Sequence, residues 1–358
     1  MLYNEGTMAR KLSLKLSVRG WITLITTILL VGVVFAAWPE ILKAWGLLGS
    51  INLWVLALLV PVQLFSYYCA GGMIFSYLRS KGNLKDMSHV RMTRMALELN
   101  FVNHVLPSGG AAGFSYLSWI LSRHGVSVGR STMAQLVRFT LTFISFVIIL
   151  IIAVFLLILD HQVDRVIIMA SILIVILAVG ATIFAIRVVS DKKRLDRFSI
   201  WLTRVSNKVI SKVTRGRKQD VVKLETLNNF FLDIHQDYKA IRKDRRILIR
   251  PFIWAMWGNL SDPALIWIAF WALGTMLNPA LLYVAYGVAS ISGIVSVTPA
   301  GAGVYETLMI TFLASSHVPA EVAIAGTLLA RVTLIVGTIL FGYIFYQLTV
   351  NKYGKRPS

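Results

Sequence analysis

VTPAGAGVYE, residues 297–306, decides the fold of this chain because it places a proline, two glycines and an acid between two apolar runs. Pro299 lacks the backbone N–H that a helix interior needs, and Gly301 and Gly303 allow backbone conformations that other residues avoid. We therefore expect the chain to turn here. A second turn of similar composition, PSGGAAG at Pro107–Gly113, lies in the N-terminal half.

The composition of the chain indicates the medium in which these turns lie. Of its 358 residues, 57% are hydrophobic, and they form long blocks rather than scattered positions. A helix needs about 20 apolar residues to cross the hydrocarbon core of a bilayer. These features predict an all-α polytopic membrane protein with about six full transmembrane helices, at 21–38, 51–78, 131–158, 166–189, 251–274 and 321–348.

The formal net charge of +20 is concentrated between the apolar blocks. Lys and Arg gather in the cytoplasmic loops of membrane proteins, so this charge does not indicate nucleic-acid binding. It predicts a multi-pass protein of a bacterial or archaeal cytoplasmic membrane, with both termini in the cytoplasm. The predicted organisation is a basic N-terminus at 1–20, a membrane half at 21–189, a basic amphipathic segment at 190–250, a second membrane half at 251–348, and a basic tail at 349–358.

The same charge rule constrains two shorter apolar segments. Segment 95–122 has to start and end inside, and segment 279–316 has to start and end outside. Each is therefore predicted to enter the bilayer and turn back, at Pro107–Gly113 and at Pro299–Gly303. Two such opposed re-entrant helical hairpins, with similar turns, suggest an inverted repeat of the kind that transporters use. A pair of tight loops between ordinary spans is the alternative.

Ionisable residues inside membrane segments are costly and mark functional sites. Arg331, in the last span, needs a partner, and Glu306 and Asp262 are the two candidates. The pair is either a structural ion pair or a site where Arg331 binds an anionic head group. Arg138 either reaches the cytoplasmic head-group level or faces a cavity. Glu98 could pair with Arg138 or with Arg94.

Two asparagines precede the first turn on one helical face. Asn100 and Asn103 could bind freed backbone groups of the turn or the polar head of a ligand, and the amides of Ser108–Gly110 could form an anion-binding nest. His104 has no second ligand at metal-binding spacing. No catalytic residue set, cofactor motif or metal site is found, so neither a cofactor nor a metal is expected.

Three stretches carry a resemblance to a known family: NFVNHVLPSGGAAGFSYLSWIL at 100–121, VTPAGAGVYE, and LLARVTLIV at 328–336. The chain resembles the lysylphosphatidylglycerol synthase transmembrane region family over roughly 20–348. The most specific part of the match is Pro299, Gly301, Gly303 and Glu306. A glycine frequent in the family's second turn is replaced by Ala300 here.

The resemblance implies movement of a phospholipid or lipid-linked sugar between leaflets. Because the chain ends at Ser358, we expect a stand-alone member without the aminoacyl-transferase domain, which does not itself make aminoacylated lipid. The expected partners are membrane phospholipids, anionic or lipid-linked in their head groups. The candidate transport residues are Asn100, Asn103, Pro107, Ser108, Gly109, Gly110, Arg138, Asp262, Thr298, Pro299, Gly301, Gly303, Glu306 and Arg331.

Two other functions stay open at this stage. The protein could be an accessory membrane subunit of a separately encoded lipid-modifying enzyme, with 190–250 as the docking surface. It could also be a transferase that acts on a lipid-linked donor, with Glu306 or Asp262 as the base. The protein could also form a homo-oligomer.

Overall fold

The fold is helical in every part of the chain that the computed structural model describes. Those parts are residues 51–105, 111–159, 165–213, 243–290 and 303–353, together with Phe35. The helices in chain order are α1 (Leu53–Ala57), α2 (Leu59–Ser80), α3 (His89–Val105), α4 (Ala111–Ser122), α5 (Val128–Leu159), α6 (Arg165–Ser190), α7 (Lys192–Val213), α8 (Ile249–Ala272), α9 (Pro279–Ser290), α10 (Val304–Ser315) and α11 (Ala320–Tyr353).

Three helical segments are long and apolar enough to cross a membrane. They are Leu53–Ser80, Val128–Leu159 and Ala320–Tyr353, and they lie at three of the predicted spans. Helices α6 and α8 also lie where spans are predicted. The predicted span 21–38 lies outside the described residues apart from Phe35, so the count of six remains a prediction.

Helix α8 continues through a proline. Pro263 cannot donate a hydrogen bond to the carbonyl of Asn259, yet the helix runs on to Ala272. The Asn259 side chain instead connects α8 to α5, because its Nδ2 donates to the Thr142 carbonyl at 2.8 Å and to Ser145 Oγ at 2.5 Å. These contacts fix the middle of α8 against a neighbouring helix.

The helices on either side of each predicted turn are short and pack in pairs. Helix α3 packs on α4, and α9 packs on α10. Helices α4, α9 and α10 have 12 residues each, which gives each a length of about 18 Å. Helix α3 begins at His89, earlier than the predicted start of the first hairpin. Of the first predicted turn, Pro107–Gly113, residues 111–113 belong to α4, so the helix resumes earlier than predicted, and 107–110 lie outside the described residues. Of the second predicted turn, Pro299–Gly303, only Gly303 is described, as the residue that precedes α10.

Packing partners recur between the two halves of the chain. The contacts α2–α3, α3–α4, α4–α5 and α2–α5 correspond to α8–α9, α9–α10, α10–α11 and α8–α11. Between the halves, α3 packs on α11 as α9 packs on α5, and α2 packs on α8. Each half therefore presents a long helix, a helical pair and a second long helix in the same order.

Helices α3 and α11 approach each other closely at Gly342. A Cβ added there would lie 2.5 Å from Phe101 Cβ, so only glycine fits. Phe101 is fully buried and contacts the rings of Tyr343 and Tyr346, at centroid distances of 5.8 and 5.4 Å. Small residues at helix contacts permit this close packing in membrane proteins. The seam places the polar side chains of both helices side by side.

Candidate functional site

A polar cavity of about 300 Å³ lies between α2, α3, α8, α9, α10 and α11. This volume is at the lower end of the range for small-molecule sites. Leucine and isoleucine side chains complete the walls. The polar lining residues are Gln63, Ser66, Tyr67, Asn100, His104, Asp262, Tyr286, Ser290, Tyr305, Arg331 and Thr338.

Arg331, which lines this cavity, forms an ion pair with Glu306, which is not among the lining residues. The distance from Arg331 Nε to Glu306 Oε1 is 2.8 Å, and only 16% and 13% of the two side chains are exposed. Arg331 belongs to α11, and Glu306 lies in the first turn of α10, immediately after the second predicted turn. Of the two partners that the sequence allows for Arg331, the structure pairs it with Glu306.

The local backbone holds this ion pair in place. Gly303 has a φ of +88°, a conformation that favours glycine, and its N–H donates to Glu306 Oε2 at 2.6 Å. A carboxylate in the first turn also complements the positive end of the helix. On the other side, the Arg331 guanidinium lies 4.7 Å from the ring centroid of Tyr305. The geometry of the pair is therefore set before any ligand arrives.

Asp262 contributes a second carboxylate to the cavity. Ser66 Oγ donates to its Oδ1 at 2.8 Å, and Tyr286 OH donates to its Oδ2 at 3.4 Å. In the part of the chain that the structure describes, no basic side chain forms an ion pair with Asp262. The carboxylate is thus held by hydroxyl groups, and its charge has no cationic counterpart among those residues.

A hydrogen-bonded network on the α2 side was missed by sequence reasoning. Gln63 Nε2 donates to Tyr67 OH at 2.9 Å and to the Leu334 carbonyl at 3.1 Å, and Tyr67 OH lies 2.5 Å from Thr338 Oγ1. Gly337 leaves room for the amide, since a Cβ there would lie 2.5 Å from Gln63 Oε1. The signal in the sequence is a lone amide within an apolar span.

The two asparagines of α3 have different surroundings. Asn100 lines the cavity together with His104, whose Nδ1 lies 2.8 Å from the Asn100 carbonyl. Asn103 instead packs on α4, where a Cβ at Gly113 would lie 2.0 Å from its Oδ1. That oxygen is buried without a hydrogen-bond donor among the described residues. Asn103 therefore contacts the second helix of the first pair, whereas Asn100 faces the cavity.

Arg138 is not among the residues that line this cavity. Its guanidinium lies 4.6 Å from the ring centroid of the neighbouring Phe139, and its Nε is buried with no hydrogen-bond partner in the described ranges. Gln135, one turn earlier in α5, donates to the Phe114 carbonyl at 3.2 Å. Arg138 therefore lies about one turn beyond a contact between α5 and α4.

Glu98 forms a second buried cluster with Arg94. Of the two partners that the sequence allows for Glu98, Arg94 and Arg138, the structure pairs it with Arg94. Arg94 Nε donates to Glu98 Oε1 at 2.8 Å, and the carboxylate also accepts from Thr349 Oγ1 at 2.7 Å and from Tyr116 OH at 2.5 Å. Glu98 is completely buried. The cluster joins α3, α4 and α11, and every oxygen of the carboxylate has a donor. Its role in the fold is to connect these helices.

Half of the predicted site residues can be located. Asn100, Asp262, Glu306 and Arg331 come together at the cavity or its ion pair, Gly303 supports Glu306, and Asn103 and Arg138 lie elsewhere. Among the described residues, no group of three or more potential metal ligands occurs. The predicted residues that lie outside the described ranges are Pro107, Ser108, Gly109, Gly110, Thr298, Pro299 and Gly301.

Comparison with known proteins agrees with the resemblance seen in the motifs. The family model described as the lysylphosphatidylglycerol synthase TM region matches residues 21–342. A curated relative, the UPF0104 membrane protein MJ1595 of Methanocaldococcus jannaschii, is 27% identical over 99 residues. That alignment covers 28% of this chain and 30% of the relative's length. Because the family model spans most of the chain, the protein belongs to the lysylphosphatidylglycerol synthase TM region family.

Proposed function

We propose that this protein moves the head group of a phospholipid, or of a lipid-linked molecule, between the two leaflets of a membrane. The observation that supports this most directly is the polar cavity. It combines an ion pair with a carboxylate that has no basic partner among the described residues, inside a helical membrane protein. Membership of the family is consistent with this role.

The depth of the cavity supports the proposal. Asp262 lies near the middle of α8, and Arg331 lies well inside α11, far from the ends of both helices. Charged side chains at such positions are costly and are kept where a substrate or ion passes. A head group in this cavity would cross the hydrocarbon region in a polar environment, while its acyl chains remain among lipids.

The short helical pairs support a transporter architecture. Helices α4, α9 and α10 are each about 18 Å long, which is too short for a hydrocarbon core of about 30 Å. The packing partners of the two chain halves also correspond helix by helix. We therefore propose that the pairs α3–α4 and α9–α10 are re-entrant hairpins that enter from opposite sides and are related as an inverted repeat.

The charges of the cavity indicate which head group it would bind. Arg331 is the group suited to a lipid phosphate, which would compete with Glu306 for the guanidinium. The Asp262 side chain offers acceptor oxygens to an amine and forms no ion pair with a described basic side chain. A purely anionic head group would leave this acceptor unused. The proposal therefore favours a head group that carries an amine as well as a phosphate, with the amine at Asp262.

The experiment is translocation of fluorescent phospholipids in proteoliposomes, followed by quenching of the outer leaflet. Wild type is compared with Arg331→Ala, Glu306→Gln and Asp262→Asn. Arg331→Ala removes the charge-assisted hydrogen bond proposed between the guanidinium and the lipid phosphate, which contributes about 1.5 kcal/mol or more. The translocation rate should therefore fall about tenfold or more. Asp262→Asn should reduce the movement of amine-bearing lipids more than that of lipids without an amine.

Two residues outside the cavity supply matched controls for these variants. Arg246→Ala removes an exposed arginine, and Asp191→Asn removes a carboxylate whose side chain is 44% exposed but keeps an acceptor for the Lys193 N–H. Both controls should move lipid at the wild-type rate. If wild type moves none of the lipids offered, the accessory-subunit function is favoured instead. If the cavity variants match wild type, the cavity is not the path.

A further inference from the structure

Helix α7, Lys192–Val213, has three distinct faces along its length. Leu195, Ser199 and Leu202 follow each other at spacings of four and three positions, and the first two are completely buried. Helix α7 packs on α6, which accounts for the burial of this face. The two other faces are not covered by described residues.

The second face of α7 is apolar and exposed. Trp201 is 53% exposed and Val205 is 37% exposed. The ring of Phe198 links this face to α6, because it lies 5.6 Å from the Trp201 ring and 6.3 Å from the Phe184 ring, between centroids. Phe184, in turn, is 59% exposed at the end of α6. The apolar edge of α7 is therefore continuous with the outer surface of α6.

That outer surface of α6 has the character of a lipid-facing helix side. It exposes large apolar side chains along most of its length, namely Met169, Leu173, Ile176, Leu177 and Ile183. A surface that faces acyl chains and then continues onto α7 indicates that the same lipid leaflet reaches α7. This continuity favours a lipid over a soluble protein as the occupant of the exposed edge.

The third face of α7 is a row of cations. Lys193, Arg197, Arg204 and Lys208 follow at spacings of four, seven and four positions, and all four are exposed. None of these four forms an ion pair with a described residue. Beside an apolar edge, such a row complements the phosphates of anionic lipids.

We propose that α7 lies in the membrane interface and binds anionic phospholipids of the adjoining leaflet. Phe198, Trp201 and Val205 would enter the acyl region, and the basic row would hold phosphates at the surface. This surface is separate from the cavity and does not depend on lipid transport for its test. It would enrich anionic lipid beside the protein, whichever head group the cavity accepts.

The test uses the full chain in lipid nanodiscs with a fluorescent label on Val205→Cys. The chain has one native cysteine, Cys69, which is fully buried and should not react with the label. Wild type treated with the same label therefore provides the blank. The label is quenched with brominated phosphatidylglycerol or with brominated phosphatidylcholine at increasing mole fractions. We expect the anionic lipid to reach half-maximal quenching at the lower mole fraction.

Neutralising the basic row should remove this preference. In Arg197→Gln/Arg204→Gln/Lys208→Gln, the half-maximal mole fraction of brominated phosphatidylglycerol should rise severalfold, to that of brominated phosphatidylcholine. A matched control, Lys243→Gln/Arg246→Gln/Arg250→Gln, removes three exposed basic residues elsewhere and should leave the preference intact. Circular dichroism verifies that both variants keep their helix content.

Three results would overturn the proposal. One is equal quenching by the two lipids in wild type, which would mean that α7 does not select anionic lipid. Another is an equal loss in the control variant, which would assign the effect to net charge alone. The third is a label shielded from both lipids and from aqueous iodide, which would indicate a protein partner or a second copy of the chain on this face.

Discussion

The ion pair between Glu306 and Arg331 predicts an unusual order of stability among its variants. In Glu306→Gln, the guanidinium of Arg331 keeps its largely buried position but loses the carboxylate 2.8 Å away. Removing one partner of a buried pair costs about 3–5 kcal/mol, whereas replacing both by neutral groups costs far less. Glutamine retains an acceptor oxygen for the Gly303 N–H, so the loss comes from the charge.

The solvent exposure of the two side chains determines how much stability Glu306→Gln loses. Because 16% of the Arg331 side chain and 13% of the Glu306 side chain remain exposed, solvent reduces the cost of removing one partner toward the lower limit, about 3 kcal/mol. The double variant Glu306→Gln/Arg331→Gln removes both charges of this pair. It should therefore be more stable than Glu306→Gln alone, which requires a coupling free energy of more than about 3 kcal/mol between the two positions.

The measurement is unfolding in mixed micelles by titration with sodium dodecyl sulfate, followed by circular dichroism. The exposed pair Arg194–Asp191, with 51% and 44% of the side chains exposed, provides the matched cycle and should show a coupling below about 0.5 kcal/mol. Additive losses at Glu306 and Arg331, with the double variant as the least stable protein, would refute the reasoning.

Two further predictions use the same unfolding assay. Gly342→Ala should lower the free energy of unfolding by about 1–3 kcal/mol because its Cβ would lie 2.5 Å from Phe101 Cβ. The control Gly180→Ala has open space around it and should be neutral or slightly stabilising. Equal effects of the two substitutions would show that α3 and α11 move apart to accommodate the methyl group. Glu98→Gln should lower the free energy of unfolding by about 1.5–3 kcal/mol because a buried carboxylate with three hydrogen-bond donors loses its charge. The control Glu321→Gln changes an exposed residue and should stay within about 0.5 kcal/mol of wild type. A Glu98→Gln variant as stable as wild type would contradict the structural role of the cluster.

The helices could be predicted from sequence because their cause is local. Hydropathy over about 20 residues located Leu53–Ser80, Val128–Leu159 and Ala320–Tyr353 to within a few residues. The boundaries of α3 were harder, since its first turns are polar and charged and gave no apolar signal. There the helix begins at His89, and its burial against α2 and α11 compensates for the weak pattern.

The site was predicted only in part because its contacts join distant positions. Charge alone brought Asp262, Glu306 and Arg331 to attention, since ionisable groups in apolar segments are rare. The network of Gln63, Tyr67 and Thr338 was missed because it spans more than 270 positions along the chain. Neutral polar groups give a weak signal until a partner across the interface is known.

By itself, the sequence determined the helical membrane class, the positions of the long spans, the family and the ionisable groups buried in it. The class, the spans and the ionisable groups follow from composition or spacing within a short window, whereas the family follows from similarity over residues 21–342. Only the tertiary structure decided that Glu306 rather than Asp262 pairs with Arg331, and that Asn100 rather than Asn103 faces the cavity. Those choices depend on how helices from the two chain halves pack, and side chains of equal chemistry compete for the same partner until that packing fixes the distances between them.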